Sequence, residues 1–360
     1  MNTSQQLLDL GQSLWLDNIT RGLLTSGTLQ RYINEFGITG LTSNPTIFDH
    51  AIRNSDFYDV AIRQKTLDGM SGEALFFDLA LEDLRQAADL FLPVHTASGG
   101  IDGWVSLEVS PLLANDPSAT IEAAVQLHTR VQRPNIFIKI PGTREGIVAI
   151  EETIFAGVPV NVTLLFSREH YIAAAEAYMR AIERRIAAGL DPDVACVASI
   201  FISRWDVAIK DQVPDALHNR LGIAIAMSTY KAYCDLLDSP RWQELFQAGA
   251  RPQRLLWAST GTKDPAASDT LYIEALAAPL TINTIPEKTL LAFVEHGKVN
   301  ETLLRDGGDV EAQLTEFARA GIDTDALASE LQREGTLSFI KSWNDLLEYI
   351  SVKSTLLMQC

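Results

Sequence analysis

Eight short apolar runs, at 13–19, 38–44, 103–110, 135–141, 158–166, 195–202, 254–260 and 280–285, alternate along the chain with segments of helical period. Alternating strand and helix signals imply parallel strands joined by helical crossovers. Eight such units favour a closed (β/α)8 barrel of the TIM type, although a doubly wound open sheet shares the alternation because strand order is not written in a sequence. Side-chain parity helps to choose. Alternate residues of a strand share a face, and here the polar residues keep to one parity. Ser106, Glu108 and Ser110 alternate with Val105, Leu107 and Val109, and Asn161 and Thr163 with Val160, Val162 and Leu164. Lys139 likewise shares a face with Phe137, against Ile136, Ile138 and Ile140. One face is greasy and helix-covered, while the other turns polar towards the C-terminal strand ends, where barrel active sites lie. An open sheet covered on both faces would not segregate so repeatedly.

The intervening segments carry ordinary helix signals. Ser167 is a candidate N-cap for a helix that turns Tyr171, Ala175, Tyr178, Met179, Ile182 and Ile186 inward and stops at Gly189. Asp116-Pro117 opens another as N-cap and first-turn proline. Residues 45–93 predict two or three helices, the last capped by Ser71, with Phe76, Leu79, Ala80, Leu84, Ala87 and Phe91 inward; periodicity makes this scaffold. Residues 287–350 read as helical with breaks at Gly297, Gly307-Gly308, Gly321 and Gly335, and 337–347 as a C-terminal helix across the barrel, without chemistry of its own. The expected organisation is a single barrel domain over 1–360, with a core at about 13–295 and a helical extension at 296–360.

The fourth run, Asn135-Ile136-Phe137-Ile138-Lys139-Ile140-Pro141, places a lysine near the end of a buried strand. An ammonium in an apolar layer costs several kcal/mol, which favours the neutral, nucleophilic amine from which a Schiff base is made. A lysine can also snorkel to the strand mouth or pair with a carboxylate. The neighbouring strand ends decide how to weigh this. They collect Asp17, Asn44, Glu108, Lys139, Asn161, Thr163, Ser199 and Ser259, with Arg204 and Lys263 in the loops beyond. Singly each has a dull explanation: Asp17 as a turn cap, Asn44 before Pro45 as a turn pair, Glu108 as the partner of Lys139. Together they make the minimum set for carbonyl chemistry, in which lysine attacks, one carboxylate moves protons on carbinolamine and imine, and another takes a proton from a hydroxyl.

Residues 141–146 and 259–264 are glycine-containing loops without P-loop or dinucleotide spacing, and fit anion-friendly turns of a barrel better. Trp257 and Phe201, on the parity of Ser259 and Ser199, are expected to fill the barrel, and Cys196, on the other, to sit under a helix. The formal charge of −17 argues against nucleic-acid or anionic-membrane partners, so an anionic ligand needs local cations. Cys196, Cys234 and Cys360 have no metal-ligand or disulfide spacing, which fits a reducing cytosol. Residues 1–6 lack a signal-peptide pattern, and no run approaches the ~18 apolar residues of a membrane span. A soluble, cytoplasmic protein is expected.

With these residues in hand, the sequence resembles the transaldolases, of the longer bacterial type. The resemblance covers about 13–295 and rests on six blocks in order: GLTSNPTIF (40–48), VSLEVSP (105–111), NIFIKIPGT (135–143), VNVTLLFS (160–167), SIFISRWD (199–206) and LLWASTGTKDP (255–265). It implies a (β/α)8 barrel without metal or organic cofactor that passes a dihydroxyacetone unit between sugar phosphates in the non-oxidative pentose phosphate pathway, as a monomer or homodimer. By the same resemblance Lys139 is the Schiff-base lysine, Asp17 the base at the substrate C4 hydroxyl, and Glu108 the acid/base acting through a water. Asn44, Asn161 and Thr163 would position hydroxyls, the imine and that water; Ser199, Ser259 and Arg204 would face the sugar and its phosphate. One departure stands out. Shorter transaldolases carry a second phosphate-binding arginine where this chain has Gly261, with Lys263 two residues on. The rival readings are a fructose 6-phosphate aldolase-like enzyme, whose relatives tend to carry tyrosine where this chain has Phe201, and a non-catalytic sugar-phosphate-binding barrel.

Overall fold

The structure, a computed structural model, describes residues 3–359, so that Met1, Asn2 and Cys360 lie outside it. Eight strands close into an all-parallel barrel in sequence order: β1 (Ser13–Asp17), β2 (Gly40–Thr42), β3 (Trp104–Glu108), β4 (Ile136–Pro141), β5 (Val160–Leu165), β6 (Cys196–Phe201), β7 (Arg254–Ala258) and β8 (Ile282–Ile285). The pairing of β1 with β8 closes the ring and rules out the open sheet. Each predicted run contains one strand.

Parity sorts the barrel as expected. Leu14, Leu16, Ile136, Ile138, Ile140, Val160 and Val162 pack outward with the surrounding helices, while Trp15, Trp104, Phe137, Val197, Leu256 and Ile282 form a second cluster inside the ring. Trp104 stacks on Phe137 with centroids 4.2 Å apart, a contact worth about 0.5–1.5 kcal/mol beyond its burial. Gly40 is required here, because a Cβ at that position would meet the Trp15 indole at 2.5 Å. These aromatics fill the lower barrel and support the polar residues above them.

Trp257 departs from expectation. It belongs to the outer cluster under the helices, and Leu256 and Ala258 face inward instead. The parity count failed because Ser259 has a positive φ of 55°, which turns the chain just past β7 and breaks the alternation. Leu164, φ 58°, does the same within the register shift of β5 and joins the inner cluster. Cys196 does lie in the outer cluster, where burial pushes its thiol up to about 12.

Helix starts follow their caps. The side chains of Asn44, Asp116, Thr143 and Ser167 each accept a backbone N–H at the N-terminus of the helix that follows them. Three helices, Pro45–Arg53, Asp59–Leu67 and Gly72–Ala97, fill the long connection after β2; Ser71 stands at the cap of the last without a side-chain bond. Ile186 is 37% exposed rather than inward, since the helix Arg168–Ala187 leaves the barrel there. Gly335 is not a break. It lies inside one 34-residue helix, Thr324–Leu357, that packs on Pro45–Arg53 and across the C-terminal end of the barrel. Among the described residues no helix is long and apolar enough to cross a membrane.

Candidate active site

The register carries the polar residues to one mouth. Glu108 of β3 pairs with Lys139 of β4, which pairs with Asn161 of β5, and Asp17 of β1 pairs with Thr42 of β2. A cavity of about 260 Å³ opens there, lined by Asp17, Asn44, Lys139, Thr163, Ser199, Phe201, Arg204, Ser259 and Lys263 among others. A cavity of about 570 Å³ lies at the opposite end, around Trp104, Phe137 and Leu280. Its Asp102 and Arg254 are paired to each other at 3.4 Å and no amine joins them, whereas the smaller, polar mouth brings Lys139 and Asp17 together and is the candidate site.

Lys139 is 5% exposed. Its Nζ donates to the Ser43 carbonyl at 3.0 Å and stands 3.6 Å from Glu108 Oε2. Both Glu108 carboxylate oxygens are buried without a hydrogen-bonding protein partner, as is the Thr163 hydroxyl. Burial raises the Glu108 pKa, partly opposed by Lys139. Asp17 is raised by the same cause, opposed by Lys139, by the Thr42 hydroxyl that donates to it at 2.8 Å, and by Lys263. Desolvation outweighs attraction at both carboxyls, so each holds its proton to a higher pH than an exposed carboxylate does.

The remaining candidates divide. Asn44 is the N-cap of Pro45–Arg53, its Oδ1 accepting from Ile47 N at 3.0 Å, and it still lines the cavity. The same residue therefore caps a helix and borders the cavity. Asn161 is fully buried below the cavity; its Nδ2 donates to Ser106 Oγ at 3.1 Å and its Oδ1 accepts from Ser199 Oγ at 2.7 Å. It holds Ser199 and does not line the cavity. Ser259 shares a hydrogen bond with Ser203 at 3.0 Å.

Arg204 extends over the cavity edge. Its guanidinium lies 5.4 Å from the Phe201 ring centroid and 5.9 Å from that of Phe339, and among the described residues it has no hydrogen bond or ion pair. Burial lowers its pKa, with Glu334 opposing from a distance. Lys263 folds back over Gly261: its Nζ is 3.8 Å from where a Cβ on residue 261 would stand. Two cations thus line one cavity with Asp17 and the Lys139 amine, while Glu108 lies behind Lys139, 3.6 Å from its Nζ and outside the cavity lining. Among the described residues, no group of three or more His, Cys, Asp or Glu side chains is placed to hold a metal.

Some contributors had not been singled out. Thr42 and Thr284 share a 2.6 Å hydrogen bond beside Asp17, and their strands follow the parity already seen elsewhere, so that signal was available. The Ser43 carbonyl, His50 and Phe339 left none, because backbone direction and contacts across hundreds of residues are not periodic features.

The chain matches the family described as "Transaldolase/Fructose-6-phosphate aldolase" over residues 14–350. A transaldolase of Thiobacillus denitrificans is 42% identical over 358 residues, covering 97% of this chain and all of its own. One of Thermobifida fusca is 42% identical, covering 96% of this chain and 97% of its own. For one of Neisseria gonorrhoeae the identity is 41%, with 94% and 96% covered. Similarity of this extent runs through every strand of the barrel and on into the C-terminal helix, so the chain belongs to the transaldolase/fructose-6-phosphate aldolase family.

Proposed function

We propose that this chain is a transaldolase that moves a dihydroxyacetone unit from a ketose phosphate, sedoheptulose 7-phosphate or fructose 6-phosphate, to glyceraldehyde 3-phosphate or erythrose 4-phosphate, with Lys139 as the nucleophile. The observation that carries the reading is a buried lysine amine 3.6 Å from Glu108 that lines one cavity with Asp17, Arg204 and Lys263, both carboxyls having their pKa raised by burial. A pure binding module has no use for an amine in such a place.

The Lys139 amine adds to the C2 carbonyl, forming a C–N bond and a carbinolamine. Glu108, whose pKa burial raises, gives a proton through a water to the departing hydroxyl, and the imine forms. Its unpartnered oxygens and the Thr163 hydroxyl have hydrogen-bonding capacity to spare for that water. Asp17 then takes the proton of the C4 hydroxyl as the C3–C4 bond breaks, its electron pair passing into the enamine. A carboxylate of raised pKa is a better base for this than an exposed one. The aldose phosphate leaves, the enamine adds to the acceptor aldehyde, and hydrolysis frees Lys139.

The phosphate falls to Arg204, with Lys263 in the room left by Gly261 and Ser259 beside them. Charge-assisted bonds from such cations are the strong ones. The enamine must stay unprotonated until the acceptor arrives. Phe201 lines the cavity with a phenyl ring, which has no proton to give, and this favours transfer over release of free dihydroxyacetone. Cys196 and Cys234 are buried free thiols, in keeping with a cytoplasmic enzyme. The test is product analysis with fructose 6-phosphate and erythrose 4-phosphate: sedoheptulose 7-phosphate should form in step with glyceraldehyde 3-phosphate. Free dihydroxyacetone as the main three-carbon product would make it an aldolase, and no turnover would make it a binding barrel.

A further inference from the structure

The helix Thr324–Leu357 meets the barrel mouth along one stripe of residues three or four apart, Gln332, Gly335, Phe339 and Ser342. Gln332 Nε2 donates to the carbonyls of Gly142 and Leu164, each at 3.0 Å, which ties the helix to the ends of β4 and β5. At the other rim Ser342 Oγ accepts from Thr46 Oγ1 at 2.9 Å. Between these anchors the helix passes over Arg204. A Cβ on Gly335 would lie 2.9 Å from Leu164 Cδ2 and 3.3 Å from Arg204 Nη1, and the same guanidinium lies over two rings, Phe339 at 5.9 Å and Phe201 at 5.4 Å.

We propose that Gly335 and Phe339 are positioning residues that set the enzyme's preference for phosphorylated donors by holding Arg204 against the Phe201 and Phe339 rings. A part-buried guanidinium is ordinarily neutralised by a carboxylate, which would consume its N–H donors. Aromatic faces stabilise the cation and leave those donors free for an anion. Gly335 supplies the other half of the device, since glycine inside a helix is unfavourable relative to alanine and here admits the close approach of the guanidinium. The C-terminal helix is therefore part of the substrate site and not only a cover. The inference rests on the reading of Arg204 as the phosphate ligand.

The test is steady-state kinetics of the full chain with fructose 6-phosphate and with fructose as donors. Phe339→Leu should raise KM for fructose 6-phosphate about three- to thirtyfold, the range of a lost cation–π contact, and leave kcat within about twofold. KM for fructose should rise far less than KM for fructose 6-phosphate, and Phe339→Tyr should restore the ratio of the two. Gly335→Ala should act in the same direction by displacing Arg204. Equal losses on both donors, or a fall in kcat at constant KM, would overturn the proposal. Arg204→Ala separates the two layers. If it fails to discriminate between the donors, the phosphate assignment itself falls; if it discriminates and the helix variants do not, only the role of the helix falls.

Discussion

Replacing Asp17 by asparagine removes a negative charge and a proton acceptor while keeping the shape. Thr42 Oγ1 donates to Asp17 Oδ1 at 2.8 Å, and an amide oxygen can accept the same bond. Lys139 keeps Glu108 at 3.6 Å and the Ser43 carbonyl at 3.0 Å, so imine formation should survive. Cleavage should not. Loss of a general base is worth about 10²–10⁴ in rate, or about 2.7–5.4 kcal/mol of barrier. Stability should move the other way. Burial raises the folded-state pKa of Asp17 above its unfolded value, so its ionised form is disfavoured in the fold; it weakens the protein above the folded pKa, and that cost is relieved as pH falls through it. The variant lacks this cost, and its thermal midpoint at pH 8 should equal or exceed the parent's. The parent's kcat/KM should fall on the acid side at a pH above the usual aspartate value, and this limb should vanish from the residual activity of the variant. Stopped-flow or single-turnover kinetics with fructose 6-phosphate measure the chemical step, and borohydride trapping should yield a six-carbon adduct. A loss of less than about tenfold, or a three-carbon adduct, would refute Asp17 as the base.

Three further outcomes follow from particular contacts. Lys263→Ala should weaken binding of phosphorylated donors by about 1.5–3 kcal/mol and leave fructose unaffected, as compared by KM for the two donors. Phe201→Tyr should raise the ratio of free dihydroxyacetone to transfer product, because the new hydroxyl enters the cavity that Lys139 lines; an unchanged ratio in a folded variant would make Phe201 packing alone. Gly40→Ala should cost about 1–3 kcal/mol in urea unfolding, since its Cβ would meet Trp15 at 2.5 Å in a filled barrel.

The barrel was legible because its physics is local and repetitive. Each strand needs one greasy face, and Ile136, Ile138 and Ile140 against Phe137 and Lys139 state the rule within six residues. The mouth was legible for the same reason, since a polar residue at the end of such a strand has few other places to go. Parity failed where the backbone left the strand, at Ser259, and Trp257 was assigned to the wrong side of the barrel. A different kind of misreading concerns Gly335. A glycine in a helical pattern usually marks an end, and only the approach of Arg204, more than a hundred residues earlier in the chain, shows why one sits inside this helix. Phe339 was hidden likewise, its ring being one apolar residue among many on a long amphipathic helix until the fold brings it to the cavity.

The central claim is that Lys139 is the nucleophile, and trapping the imine tests it most directly. Borohydride with fructose 6-phosphate should inactivate the enzyme and leave the mass of one reduced dihydroxyacetone unit, which peptide mapping should find on Lys139 alone. Lys139→Arg should lose both adduct and turnover, because a guanidinium stays protonated and forms no imine. An adduct on another lysine, or full turnover by Lys139→Arg, would contradict the mechanism.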